Sequence, residues 1–202
     1  MQDQTNAILS GFLKIYDPID NTVFVEKQNA IHFENCSEAL ASMVANKNTG
    51  RLHEMHFGNG GTSVDPTGVI TYLPSNNTGA SADLYNPTYY KVVDDTSSLN
   101  TDPTRNRIEV RHVPGQVYTD LLISCLLDYG EPAGQTAFDN TTDFNGDFVF
   151  DELGLKSWTG AAGTGKLLTH VVFHPLAKSL NRLIQIDYTV RLQTLSQLGS
   201  IT

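Results

Sequence analysis

The stretch RLIQIDYTVRLQ, Arg182–Gln193, decides the fold. Ile184, Ile186, Tyr188, Val190 and Leu192 alternate strictly with Gln185, Asp187, Thr189, Arg191 and Gln193, which is the period of a strand with one buried and one wet face. At about 3.3 Å per residue this segment runs ~40 Å, twice an ordinary strand, so it calls for a broad sheet. Further β-rich runs lie at Gly11–Tyr16, Thr22–Lys27, Leu52–Phe57, Gly68–Leu73, Tyr89–Asp94, Arg107–Val113, Val117–Tyr129, Phe148–Leu153 and Lys166–His174. Many short strands separated by turn residues predict a mainly β protein, an antiparallel, jelly-roll-like β-sandwich with one short α-helix and long loops.

The first two strands flank DPIDN (17–21), a Pro- and Asp-rich turn, and are expected to pair as a hairpin at one edge of the sheets. Cys36, Ala39, Leu40, Met43 and Val44 fall at helical spacing, Asn35 and Glu38 form a capping-box pattern, and Gly50 follows. These signals predict a helix over roughly 35–46, beginning at Cys36 and plugging an open end or face of the sandwich. Between Phe57 and Arg107, GNGGTSVDPTG, PSNNTGASADLYNPT and DDTSSLNTDPTRN read as long loops. Tyr85, Tyr89 and Tyr90 punctuate them, and loop aromatics dock onto the same chain, a neighbouring subunit or a ligand.

The chain has 202 residues, 40% hydrophobic and 17% charged. That is enough apolar material for one core, so residues 1–202 are read as a single domain. No window approaches the ~18 apolar residues of a spanning helix, and the N-terminal segment lacks a basic region leading into an apolar run. Neither export nor membrane insertion is expected. With 13 Lys and Arg against 22 Asp and Glu, the net charge of −9 opposes binding to nucleic-acid phosphates and acidic lipid surfaces. The two cysteines, Cys36 and Cys125, are expected as buried free thiols.

Each chemical motif falls short of its full pattern. Gly160, Gly165 and Lys166 in GAAGTGKL resemble a phosphate-binding loop, but Leu167 stands where a magnesium-binding Ser or Thr belongs, and a β-rich run follows where a helix is required. Asp143, Asn145 and Asp147 in DNTTDFNGD have alternate-residue spacing suited to calcium. Phe148, however, replaces the required glycine and Gly154 the bidentate glutamate. His53 and His56 are expected on opposite faces of a strand, His170 and His174 at opposite ends of another, and His32 four residues before Cys36. No G-x-S-x-G elbow is present. The residues therefore assign no catalytic, cofactor-binding or metal site, and no cofactor.

NAIHFEN (29–35), FGNGGTSVDPTGVITYLP (57–74), DLYNPTYYKVVDD (83–95), NTDPTRN (100–106), DYGEP (128–132), FDELGLKS (150–157) and LLTHVVFHPLAKSLNRLIQIDYTVRLQ (167–193) together resemble a group of tailed-bacteriophage virion structural proteins. The resemblance runs from about Gly11 to Gln193 and carries no catalytic or ligand-binding residues. It implies a non-enzymatic part of the virion, made in the host cytoplasm. Such a part would form a homo-oligomeric neck, collar, connector or tail (baseplate) layer with other virion proteins as partners. A capsid decoration protein, and a receptor- or carbohydrate-binding module of the tail, are the alternatives. Neither specific nucleic acid nor a membrane is an expected partner.

Overall fold

A computed structural model describes residues 5–132, 147–179 and 181–196. Among them are β1 (Thr5–Tyr16), β2 (Val23–Gln28), β3 (Ala30–Ile31), α1 (Phe33–Val44), β4 (Leu52–Gly58), β5 (Thr62–Val64) and β6 (Ile70–Tyr72). They continue as β7 (Pro87–Val92), β8 (Arg107–His112), β9 (Tyr118–Leu127), β10 (Asp147–Ser157), β11 (Leu167–Ser179) and β12 (Ile184–Ser196). The first sheet has the order β2-β1-β12-β9-β8 and the second β3-β11-β10-β4-β7. Both are antiparallel throughout. A small hairpin, β5-β6, stands apart from them.

The alternation in β12 is realised as read. Ile184, Ile186, Tyr188 and Val190 are buried, and the strand lies between β1 and β9 in the middle of the first sheet. Its length extends β1 beyond the sequence reading, because Thr5 already pairs with Ser196. The inner faces of the two sheets meet in one core. Leu13, Ile15, Ile123, Cys125, Leu127 and the β12 residues come from the first sheet, and Met55, Phe57, Phe148, Phe150, Leu153, Leu155, Val171 and Phe173 from the second. Phe150 is its aromatic hub, edge-on to Phe57 at 5.4 Å and to Phe173 at 5.7 Å. The protein is thus a mainly β, two-sheet antiparallel sandwich with one short helix.

Strand β10 does not keep one alternation along its length. The pairing with β11 shifts between Phe150 and Glu152. Across this irregularity β10 advances two residues while β11 advances four, and the side-chain parity of β10 turns over, so that Phe148 and Phe150 point inward before the bulge and Leu153 and Leu155 after it. Asp151 and Glu152 sit at this bulge, and the strand runs on to Ser157 rather than ending at Leu153.

The helix begins at Phe33, three residues before the expected start at Cys36, and its cap is not the expected Asn35–Glu38 box. His32 is the N-cap, its Nδ1 accepting the Asn35 N–H at 3.2 Å. Asn35 is instead buried and donates its side-chain amide to Leu167 O at 2.8 Å. Anchored in this way, α1 plugs one open end of the sandwich. Cys36 and Ala39 pack with Ile31 and Leu168, against Leu9 of the first sheet and Leu52 of the second. Among the described residues no helix is long and apolar enough to cross a membrane.

Candidate functional site

The outer face of the second sheet is not a wet polar surface. Glu54 and His56 of β4, Glu152 and Lys156 of β10 and His170 of β11 point away from the core yet are all buried, because residues 58–86 and the β10–β11 loop lie over them. Burying this many ionisable groups is costly unless each is paired and hydrogen-bonded. The pairs are Glu54 with His56 (2.8 Å), Glu152 with His170 (3.0 Å) and Lys156 with Asp83 (2.7 Å).

The carboxylates also hold the covering loops by their backbones. Glu152 accepts the N–H groups of Gly60 (3.1 Å), Tyr85 (2.9 Å) and Asn86 (2.8 Å). Asp151 accepts those of Gly61 (2.9 Å) and Thr62 (2.8 Å) as well as the Thr62 hydroxyl. Glu54 accepts Gly163 N–H on both oxygens, at 2.9 and 3.0 Å. His170 takes the Asn76 N–H on Nδ1 at 2.7 Å, so its Nε2 carries the proton donated to Glu152. The approach is close enough to dictate glycine at position 58, where a Cβ would lie 2.5 Å from Glu152 Oε1 and 2.6 Å from Asn86 O.

Burial and hydrogen bonding pull the protonation equilibria in opposite directions. For Glu152 burial works to raise the carboxyl, but His170 and the three backbone donors outweigh it and hold it below its ordinary range. Glu54 behaves likewise through His56 and Gly163. Burial wins at Asp151, which is raised despite its bonds to Thr62 and Gly61. His56 is lowered, chiefly by burial.

The residues singled out in the sequence have distinct fates. The loop containing Gly160, Gly165 and Lys166 presents Gly163 N–H to the Glu54 carboxylate, leads straight into β11, and pairs Lys166 with Glu38 at 2.6 Å. A buried carboxylate on the loop amide repels a phosphate, so no nucleotide cradle forms there. Asp139, Asp143 and Asn145 lie outside the described residues; Asp147 opens β10. His53 and His56, read as lying on opposite faces of the strand, stand differently to Glu54: His56 Nε2 hydrogen-bonds it at 2.8 Å, while His53 Nε2 lies 3.9 Å away, beyond hydrogen-bond reach. His53 also contacts Asp94 at 3.3 Å and packs on Trp158. His174 is exposed and meets Tyr72 OH at 3.2 Å. Among the described residues no three His, Cys, Asp or Glu side chains converge closely enough to hold a metal ion.

Cys36 and Cys125 are both buried and free, and burial pushes their thiols up to about 11 and about 12 respectively. All three loop tyrosines dock onto their own chain. Tyr85 packs on His170 and donates to Pro74 O, Tyr89 enters the core against Phe57, and Tyr90 stacks on His56 at 5.2 Å. Glu54, Asp151 and Glu152 escaped the sequence reading because they sit inside runs read simply as strands, and Lys156 because it lies past Leu153, where that strand was read to end. Charges in the middle of LHEMHFG and FVFDELGLKS were the available signal.

What remains open on this face is a cleft of roughly 330 Å³ lined by His56, Asp83, Thr88, Tyr90 and Lys156. It offers an imidazole, an ammonium–carboxylate pair and an aromatic ring, the equipment to hold a small polar molecule. Among the described residues its one aliphatic hydroxyl, Thr88, donates to Phe57 O at 3.3 Å and belongs to the fold. Comparison with known proteins finds no matching family model, curated protein or solved structure.

Proposed function

We propose that this chain is a non-enzymatic structural component of a tailed-bacteriophage virion, working as copies of itself among other virion proteins in the neck, collar, connector or tail baseplate. One observation carries the reading. The groups that could do chemistry, Glu54, Asp151, Glu152 and His170, spend their hydrogen bonds fastening loop backbone to the second sheet. That arrangement builds a rigid body with shaped loops rather than a reactive centre. The β5-β6 hairpin so fastened presents Val64, Val69 and Tyr72, each about half exposed or more, and apolar side chains displayed on an ordered hairpin suit contact with another protein. The resemblance of the sequence to virion structural proteins supports the same reading.

Immunogold electron microscopy of purified particles of the encoding phage tests it. Gold at the head–tail junction or along the tail is expected. Gold spread over the head would favour a decoration protein, and disrupted particles without label would overturn the virion reading. A carbohydrate-binding module has one observation in its favour, the cleft lined by Tyr90 together with the Lys156–Asp83 pair. A glycan screen of the isolated chain without hits would remove it.

A further inference from the structure

We propose that the open edge of β1, Thr5–Ser10, pairs antiparallel with the same edge of a second copy of this chain, joining two first sheets into one. The inference deepens the reading that the chain assembles with copies of itself, and rests on it. Strand β2 covers only Phe12–Tyr16 of β1 before the chain turns away through Asn29 to β3. Among the described residues no strand pairs with Thr5–Ser10 on that side, although β12 holds the other side along its whole length. Asn29 N–H donates to Gly11 O at 3.1 Å, which shows that Gly11 turns its backbone groups to this edge. In an antiparallel ladder residues of the same parity do the same, so Leu9, Ala7 and Thr5 present both N–H and C=O here.

An unpaired edge is a template for another strand, and proteins ordinarily guard it with charge, proline, shortness or a cover. The other edges of this sandwich are guarded. Strand β8 carries Arg107, Glu109 and Arg111 in a chain of ion pairs, β7 starts at Pro87, and β2 exposes Glu26 and Lys27. Strand β3 has only two residues, and beyond it Lys27 Nζ caps Val172 O at 2.8 Å. Among the described residues the β1 edge has none of these devices. Thr5–Phe12 reads TNAILSGF, without charge or proline, in a chain of net charge −9. Ile8 and Phe12 are 44% and 40% exposed, and a groove of roughly 530 Å³, bounded by Asn29, Phe33 and Asn77, runs beside the strand.

The neutrality selects the occupant. Two copies of an acidic protein repel except where an uncharged stretch meets an uncharged stretch, and two-fold pairing of this segment is such a meeting. A two-fold axis at Ala7 sets Ala7 against Ala7 and Thr5 against Leu9, all of one parity, for about six hydrogen bonds. It also brings the two exposed Ile8 side chains to diagonal positions across the seam.

Sedimentation and amide hydrogen exchange of the full chain test this, with Ile8→Lys, Ala7→Pro and, as a control on a guarded edge, Val110→Lys. Ala7→Pro removes an N–H that faces away from β12 and so spares the internal ladder. The expected result is a self-associating wild type whose Ala7 and Leu9 amides are protected, with exchange at Leu9 at least about tenfold faster in Ile8→Lys and Ala7→Pro. Both variants should sediment as monomers with unchanged near-UV circular dichroism, while Val110→Lys associates like wild type. A wild type that associates while Ala7 and Leu9 exchange freely, or edge variants that associate normally, would overturn the β1 seam and leave self-assembly standing. A wild type that stays monomeric up to its solubility limit would overturn both.

Discussion

Glu152 Oε2 lies 3.0 Å from His170 Nε2, and neither side chain has any solvent exposure. The pair sits at the β10 bulge, where the same carboxylate also receives three loop N–H groups. Its consequence for stability follows directly. Glu152→Gln replaces an acceptor-only carboxylate with an amide whose NH₂ must face donors, leaving buried polar groups unmatched. A loss of about 3 kcal/mol is expected in urea unfolding. A change below ~1 kcal/mol would mean that the loops are held by something else.

Acid should loosen the second sheet's outer layer in two stages. His56 is lowered in the fold, so the unfolded chain binds its proton first and stability begins to fall as pH drops below about 6.5. Glu54 and Glu152 are also lowered, so their contribution is present above about 4.3 and is lost as pH falls through their folded values. Asp151, being raised, has the opposite sign: its contribution is full below about 3.9 and lost as pH rises through its folded value. Urea midpoints between pH 3 and 8 should therefore rise with pH overall, and Glu152→Gln should flatten the acid limb. An unflattened limb would remove Glu152 from the account.

Both cysteines should resist a thiol reagent in the native state, since burial hides them and raises both thiols. Labelling of two thiols per chain is expected only after denaturation. Rapid labelling of the folded chain would show that the α1 plug opens.

Phe150→Ala should cost about 3–5 kcal/mol, because the ring is fully buried among Phe57, Phe148 and Phe173 and its loss leaves a cavity. Val110→Ala, at a side chain 70% exposed, should stay within ~0.5 kcal/mol. Paired denaturation curves check both at once.

Gly58→Ala should destabilise by ~1–3 kcal/mol, since its Cβ would collide with Glu152 Oε1 and Asn86 O. The same substitution in a Glu152→Ala background should cost less, because that truncation removes the oxygen the Cβ would meet, and a double-mutant cycle measures the difference.

Local pattern by itself determined the β-rich class, the alternating face of β12, the β1-β2 hairpin at an edge and one helix, because each is written in the spacing of neighbouring side chains. It failed where a long-range partner overrules local preference. His32 caps α1 because its backbone is already held by Leu168 O, so the helix starts ahead of the Asn35–Glu38 signal. One bulge at Asp151 reversed the parity of β10, which no count along the strand can anticipate. The meeting of Glu54 with His56, of Glu152 with His170 and of Asp83 with Lys156 joins residues up to 73 positions apart. Only the tertiary structure decides such pairs, since a buried charge is acceptable in a strand only once the partners that neutralise it have been folded against it.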